Sequence, residues 1–200
     1  MTYESELART REFFAARAAT WDSKYPDDGP RYAAAIAELG LLPGQFVLDA
    51  GCGTGRALPY LRSAVGPAGM VLGLDLTPEM LRRAAAHRAL AHLVTADVGR
   101  LPLPDATLDA VFGAGLISHL PDPPANLREL ARATRPGGLL ALFHPISRAA
   151  LAARHGRTLT PDDLRAEPNL GPLLAAAGWR LTRYEDGAER FLAVAERAAR

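Results

Sequence analysis

Residues 46–55 read Phe46-Val47-Leu48-Asp49-Ala50-Gly51-Cys52-Gly53-Thr54-Gly55. A short apolar run, interrupted by one carboxylate, passes straight into alternating glycines. An apolar run this short, closed by turn residues, reads as a strand buried on both faces. The glycines let the backbone turn sharply and let a ligand come close to the main chain. A helical stripe of Ala57, Leu58, Leu61 and Val65 follows. A helix that starts here presents unsatisfied N–H groups towards the turn, which favour a phosphate or a carboxylate. Alone, a glycine turn says no more than that.

The same grammar extends in both directions. Downstream, strands are expected at Met70–Leu74, Leu93–Ala96, Leu108–Ala114 and Leu139–Phe143. Helical segments separate them: one opens at Thr77-Pro78-Glu79, with Thr77 as the cap, and one carries Leu127, Leu130 and Ala131 up to Pro136-Gly137-Gly138. Thr160-Pro161-Asp162-Asp163 has N-cap chemistry, and Gly178 closes the helix that runs through Leu173 and Leu174. Two last strands, Trp179–Tyr184 and Arg190–Ala195, flank a turn at Glu185-Asp186-Gly187. Upstream, residues 5–19 read as a helix, 21–30 as a loop, and Tyr32, Ile36 and Leu39 as a second helix. The expectation is an α/β fold: a doubly wound, mostly parallel seven-stranded sheet with helices on both faces and a C-terminal antiparallel hairpin. Residues 1–42 form a helical segment ahead of a main domain at 43–200.

Composition narrows the function classes. The formal net charge is +1 over 200 residues, so no global field draws the chain to nucleic acid. All but one of the 23 basic residues are Arg, Lys24 being the exception. They are scattered, with no basic patch interleaved with aromatics. The single cysteine, Cys52, excludes an internal disulfide. No apolar run is long enough for a membrane span, and the charged N-terminus lacks a signal-peptide core, so a cytoplasmic protein is expected. No His, Cys and Asp spacing suggests a metal site.

A second motif sharpens the first. Leu72-Gly73-Leu74-Asp75 ends the second strand with an acid 20 residues after Gly55. A carboxylate there can accept both hydroxyls of a ribose, so the ligand contains a nucleoside. NAD and S-adenosylmethionine both meet that condition. Three details separate them. Arg56 stands where the dinucleotide turn needs a third Gly or Ala for close packing. Asp49, just before the glycines, favours a cationic ligand end and opposes a pyrophosphate. Asp97, after the third strand, can accept an adenine amino group.

These motifs, VLDAGCGTG from Val47, LGLDLTPEML from Leu72, TADVGRLPLPDATLDAVF from Thr95 and RELARATRPGGLLAL from Arg128, together resemble the class I S-adenosylmethionine-dependent methyltransferases. The branch most resembled is the small-molecule one that includes the ubiquinone and menaquinone C-methyltransferases. The resemblance covers about Pro43 to Phe143 and implies a Rossmann-like fold. It also implies roles. Gly51, Cys52 and Gly53 lie against the methionine part of the cofactor, and Asp49 anchors that end. Asp75 holds the ribose, Leu76 packs on the adenine, and Asp97 and the Val98 N–H read its edge. Gly113 to Leu116, Gly115 included, skirt the methionine chain. The segment 1–42 closes over the cofactor, which places Trp21 and Tyr25 beside the acceptor.

Methyl transfer from a sulfonium is an in-line displacement, so the protein mainly positions two partners and excludes water. A base is needed only for an acceptor that must lose a proton. His119, just after the fourth strand, and His144, ending the fifth, are the candidates, and both are also expected to line the acceptor pocket. Asp122-Pro123-Pro124-Ala125 looks like the motif of DNA amino-methyltransferases but lacks the aromatic residue and sits too late after its strand, so it reads as a turn opening a helix. Cys52 has no His or Lys nearby in sequence and reads as a small buried residue. The expected partner is therefore a small, partly apolar acceptor, with no nucleic acid, and with homodimer formation left open. The competing readings are a non-catalytic module that binds the same cofactor, and an NAD-dependent oxidoreductase disfavoured by Arg56 and Asp49.

Overall fold

The computed structural model describes residues 2–24 and 28–199. Seven strands form one sheet: β1 Phe46–Ala50, β2 Met70–Asp75, β3 His92–Thr95, β4 Leu108–Ala114, β5 Thr134–His144, β6 Trp179–Asp186 and β7 Phe191–Arg197. Their spatial order is β3-β2-β1-β4-β5-β7-β6. The first five strands are parallel. β7 runs antiparallel between β5 and β6. The order reverses between β1 and β4, and ligands of open α/β sheets bind at such a reversal, beyond the carboxyl ends of the strands.

The core follows the two-residue period of the strands. Val47 faces Ile36 and Leu39 on one side with Leu58, Leu61 and Val65. Leu48 and Ala50 face the opposite layer, with Leu127, Leu130, Leu170 and Trp179. The helices are α3 Gly29–Ala37 and α4 Leu58–Val65 on the first side, and α6 Pro123–Ala133 and α8 Glu167–Ala176 on the second. Trp179 is almost fully buried, and its indole N–H donates to the Leu127 carbonyl at 2.9 Å, joining β6 to α6. α6 starts as expected: the Asp122 carboxylate accepts the Ala125 N–H at 2.9 Å.

Several local expectations are corrected. Thr77 precedes α5 (Pro78–Ala84) but makes no side-chain cap; its hydroxyl is buried without a hydrogen bond, and the Asp75 carboxylate accepts the Thr77 N–H instead. Thr160–Asp163 forms a turn, and α8 begins at Glu167. The Asp163 carboxylate is engaged by Arg165 and Arg148, so it does not cap a helix. A further helix, α7 Arg148–Arg154, lies between β5 and α8. The stretch read as a loop contains the short helix α2, Trp21–Lys24, and Gly29 already opens α3. β5 begins at Thr134, and the Pro136-Gly137-Gly138 step lies where its pairing with β4 shifts register.

Among the described residues no helix is long and apolar enough to cross a membrane. The N-terminal helix α1, Tyr3–Ala15, crosses the carboxyl ends of the sheet. It touches the segments after three successive strands: Leu76 after β2, Asp97 after β3 and His119 after β4.

Candidate active site

The turn after β1 is tied to β2 by main chain and side chain together. The Cys52 N–H donates to the Leu74 carbonyl at 2.9 Å, and the Gly53 N–H donates to the Asp75 carboxylate at 2.8 Å. The other Asp75 oxygen accepts the Thr77 N–H at 2.7 Å. Each oxygen keeps lone-pair capacity for a further donor, as a ribose diol would require. Burial raises the Asp75 pKa above the usual carboxylate range, and the Thr77 and Gly53 N–H groups pull against that rise.

Two glycines of the turn have different duties. Gly53 has φ +56° and open space where a side chain would project, so the main chain there is accessible. Gly55 has φ +88°, and a Cβ would lie 2.9 Å from both His87 and Leu58 side-chain atoms. Gly55 therefore serves helix packing, and His87 is one of its neighbours. Arg56 points away from the sheet towards Asp28, at 3.5 Å, and the Tyr32 ring.

Asp49 is the unusual group. It sits on β1, is fully buried, and its Oδ2 makes no hydrogen bond among the described residues. Burial, and then the negative charge of Asp75, push its pKa up to about 8. A buried carboxylate without a partner beside an accessible glycine turn calls for a cation. The ammonium end of an S-adenosylmethionine-type ligand satisfies that demand, so these residues fit the expected cofactor. The Cys52 thiol is pushed up by burial and by the same two acids, which suppresses the thiolate a nucleophile would need.

Asp97, expected at the adenine end, has a partner that sequence inspection missed. The Tyr3 hydroxyl lies 2.9 and 3.1 Å from the two oxygens of Asp97, and Asn126 Nδ2 donates to the same hydroxyl at 2.9 Å. The Gly99 N–H also donates to Asp97, at 2.8 Å. Val98 is buried in the core. Leu76 is half-buried, and its carbonyl accepts from Arg11 of α1. No local pattern marks Tyr3, because its partners stand 94 and 123 positions away.

On the opposite side of the reversal point lie the acceptor candidates. Gly113 and Gly115 end β4, and the Gly115 N–H donates to the Phe143 carbonyl at 2.8 Å. His119 follows in a short 3-10 turn, with Phe14 edge-on at 4.9 Å and Phe13 stacked at 6.3 Å. Phe14 in turn meets Trp21 at 5.5 Å. Tyr25 lies outside the described residues. Asp22, beside Trp21, accepts the Thr54 hydroxyl at 2.7 Å and so reaches the glycine turn. His144 ends β5, with Nδ1 3.3 Å from the Ile146 N–H. Burial, with Arg165 and Arg154 adding repulsion, lowers the His144 pKa to about 4. Surrounding chain and the Arg165 charge lower His119 as well, although part of its ring is exposed. Both rings are neutral at pH 7 and weak as proton acceptors. Among the described residues no group of three or more His, Cys, Asp or Glu is placed to hold a metal.

Comparison with known proteins shows the family and the fold. The family described as a methyltransferase domain matches residues 48–142. A solved S-adenosylmethionine-dependent methyltransferase from Aquifex aeolicus is 30% identical, with 84% of this chain and 89% of that one covered and a TM-score of 0.69. The malonyl-(acyl-carrier protein) O-methyltransferase of Serratia marcescens is 40% identical over 109 residues, which is 54% of this chain and 41% of that protein. The demethylmenaquinone methyltransferase of Symbiobacterium thermophilum is 34% identical over 109 residues, 52% of this chain and 43% of that protein. The chain thus spans less than half the length of these curated relatives.

Proposed function

The chain belongs to the S-adenosylmethionine-dependent methyltransferases, and on that premise we propose that it methylates a small-molecule acceptor. The single observation that carries the reading is the unpartnered, buried Asp49 carboxylate beside the Gly51–Gly53 turn, with Asp75 across from it. When bound, S-adenosylmethionine supplies a methyl group already activated on a sulfonium. The chain's own residues bind, orient and exclude water. Asp49 pairs with the ligand's ammonium, assisted by the Gly51, Cys52 and Gly53 main chain. Asp75 accepts the ribose hydroxyls. Leu76, Asp97 and Val98 frame the adenine, and Gly113 and Gly115 leave room for the methionine chain.

Segment 1–42 covers this ligand. α1 spans the segments beyond β2, β3 and β4, and α2 reaches the glycine turn through Asp22 and Thr54. Cover of this kind expels water, and orientation can supply ~7–11 kcal/mol of the barrier. His119 and His144 border the acceptor. As neutral, weakly basic rings they position it and accept a hydrogen bond more readily than they remove a proton. The test is titration calorimetry with S-adenosylhomocysteine, followed by methyl transfer to candidate acceptors. No binding at millimolar ligand would end the proposal.

A further inference from the structure

α1 is lightly anchored. Leu7 is its only buried residue, and its Glu4 meets Arg100 at 3.5 Å across an exposed surface. Its first residue is the exception. The Tyr3 hydroxyl stands 2.9 and 3.1 Å from the two Asp97 oxygens, so it sits on the carboxylate edge that both oxygens share. We infer that Tyr3 is a latch on the cofactor site: in the ligand-free protein its hydroxyl holds the edge of Asp97 that the adenine amino group needs, and the cofactor binds by displacing it. The inference rests on the methyltransferase reading, with Asp97 as adenine acceptor, and adds a conformational control of the same site.

The seat of the latch is built into the fold. Asn126 is fully buried, and its Nδ2 donates to the Tyr3 hydroxyl at 2.9 Å while its Oδ1 accepts the Asp122 N–H at 3.2 Å. Position 99 has to be bare for the hydroxyl to enter, because a Cβ on Gly99 would collide with the Tyr3 oxygen and with Asn126 Nδ2. The Gly99 N–H occupies Asp97 Oδ1 as well, at 2.8 Å. The phenol has one proton to give, and Asp97 takes it. Burial, opposed by the Asn126 donor and aided by Asp97, pushes the Tyr3 phenol up to about 12, so it remains a donor at neutral pH.

The exchange replaces like with like. An adenine amino group offers Asp97 the same kind of donor as the phenol. Tyr3 and Asp97 are both only half-buried, so the released hydroxyl finds water. The latched fraction of molecules then lowers the apparent cofactor affinity in proportion. A helix with one buried residue is the kind of element that opens locally at small cost. Release is confined to the first turn of α1, since further along Arg11 bonds the Leu76 carbonyl and Phe14 packs on His119.

The test uses the whole chain with S-adenosylhomocysteine. In the wild type, saturating ligand should speed amide hydrogen exchange in the first turn of α1 and slow it in the Gly51–Gly55 turn. Tyr3→Phe should bind the ligand roughly 2- to 10-fold more tightly, the scale of one competing hydrogen bond. In that variant the ligand should no longer change exchange in α1. Glu4→Gln breaks only an exposed ion pair and should match the wild type in both measurements. Unchanged or weaker binding by Tyr3→Phe, or a ligand that slows exchange at the start of α1, would overturn the latch, because Tyr3 would then be a fixed wall of the site. Were Tyr3→Phe to misfold, the exchange measurement on the wild type still decides. Failure of the wild-type protein to bind S-adenosylhomocysteine would take down the methyltransferase reading as well. Intact binding that is indifferent to Tyr3 overturns only the latch.

Discussion

Asp49 gives the sharpest prediction, because its ionisation must change when the cofactor binds. In the ligand-free protein its pKa stands at about 8 through burial and the neighbouring Asp75. Pairing with an ammonium requires the carboxylate form. Below pH 8, each unit should therefore weaken S-adenosylhomocysteine binding by up to ~10-fold, about 1.4 kcal/mol. From pH 8, where about half of the Asp49 groups are ionised, to pH 6 the loss is about 50-fold, and binding at pH 6 releases close to one proton. Calorimetry in buffers of different ionisation enthalpy measures both quantities. Asp49→Asn should flatten the pH dependence and weaken binding at pH 8 by roughly 1.5–3 kcal/mol, the scale of a hydrogen bond to a charged group. The same shift governs stability in the ligand-free protein. A folded pKa above the unfolded value of about 3.9 means that the folded state holds the extra proton between about pH 4 and pH 8. That stabilising contribution is complete below pH 4 and is lost as pH rises through 8. Melting scans should show the Asp49→Asn variant gaining on wild type between pH 5 and pH 8, by up to about 1.4 kcal/mol per unit. Wild-type affinity that is flat from pH 6 to pH 8 with no proton release, or a slope retained in Asp49→Asn, would refute the reasoning.

Asp75→Ala should weaken S-adenosylhomocysteine binding by roughly 1.5–3 kcal/mol and also lower the melting temperature, since the Gly53 and Thr77 N–H groups lose their acceptor. Calorimetry and thermal melts read the two effects separately. Tyr3→Phe should cost about 0.5–1.5 kcal/mol and speed amide hydrogen exchange in α1 more than in the sheet, because it removes the tie to Asp97 and Asn126. Uniform exchange rates would show that α1 is held by other contacts. Trp179→Phe should destabilise the fold by about 1–3 kcal/mol in denaturant titrations, by removing the indole hydrogen bond to the Leu127 carbonyl and leaving space where the larger buried ring packs, and should leave cofactor affinity unchanged.

Much of this protein is local in origin. The short apolar run of β1, buried on both faces, the glycines after it and the acid ending β2 are short-range patterns. They determine strand, turn and helix within a few residues, and they place the cofactor side of the site. The misreadings are also local in form but not in cause. Thr77 and Thr160–Asp163 carry cap chemistry, yet the Thr77 hydroxyl makes no cap, and Arg165 and Arg148 claim Asp163. Which of several capable partners wins a hydrogen bond depends on geometry across elements, and composition does not encode that.

The acceptor side belongs to tertiary structure almost entirely. Tyr3 meets Asp97, Asp22 meets Thr54, and Arg165 comes to a pocket shared with Gly113 and His144 only because the sheet order brings distant segments to one edge. The sequence by itself determined the sheet, its winding and the glycine turn and acids proposed to face the nucleoside, because these follow from residue pattern and main-chain stereochemistry. The fold alone decided that the Asp49 Oδ2 has no hydrogen-bond partner among the described residues, that the two histidines are poorer bases than a free imidazole and that a braced arginine stands beside them. Burial and through-space charge set those properties, and both exist only once the chain is packed.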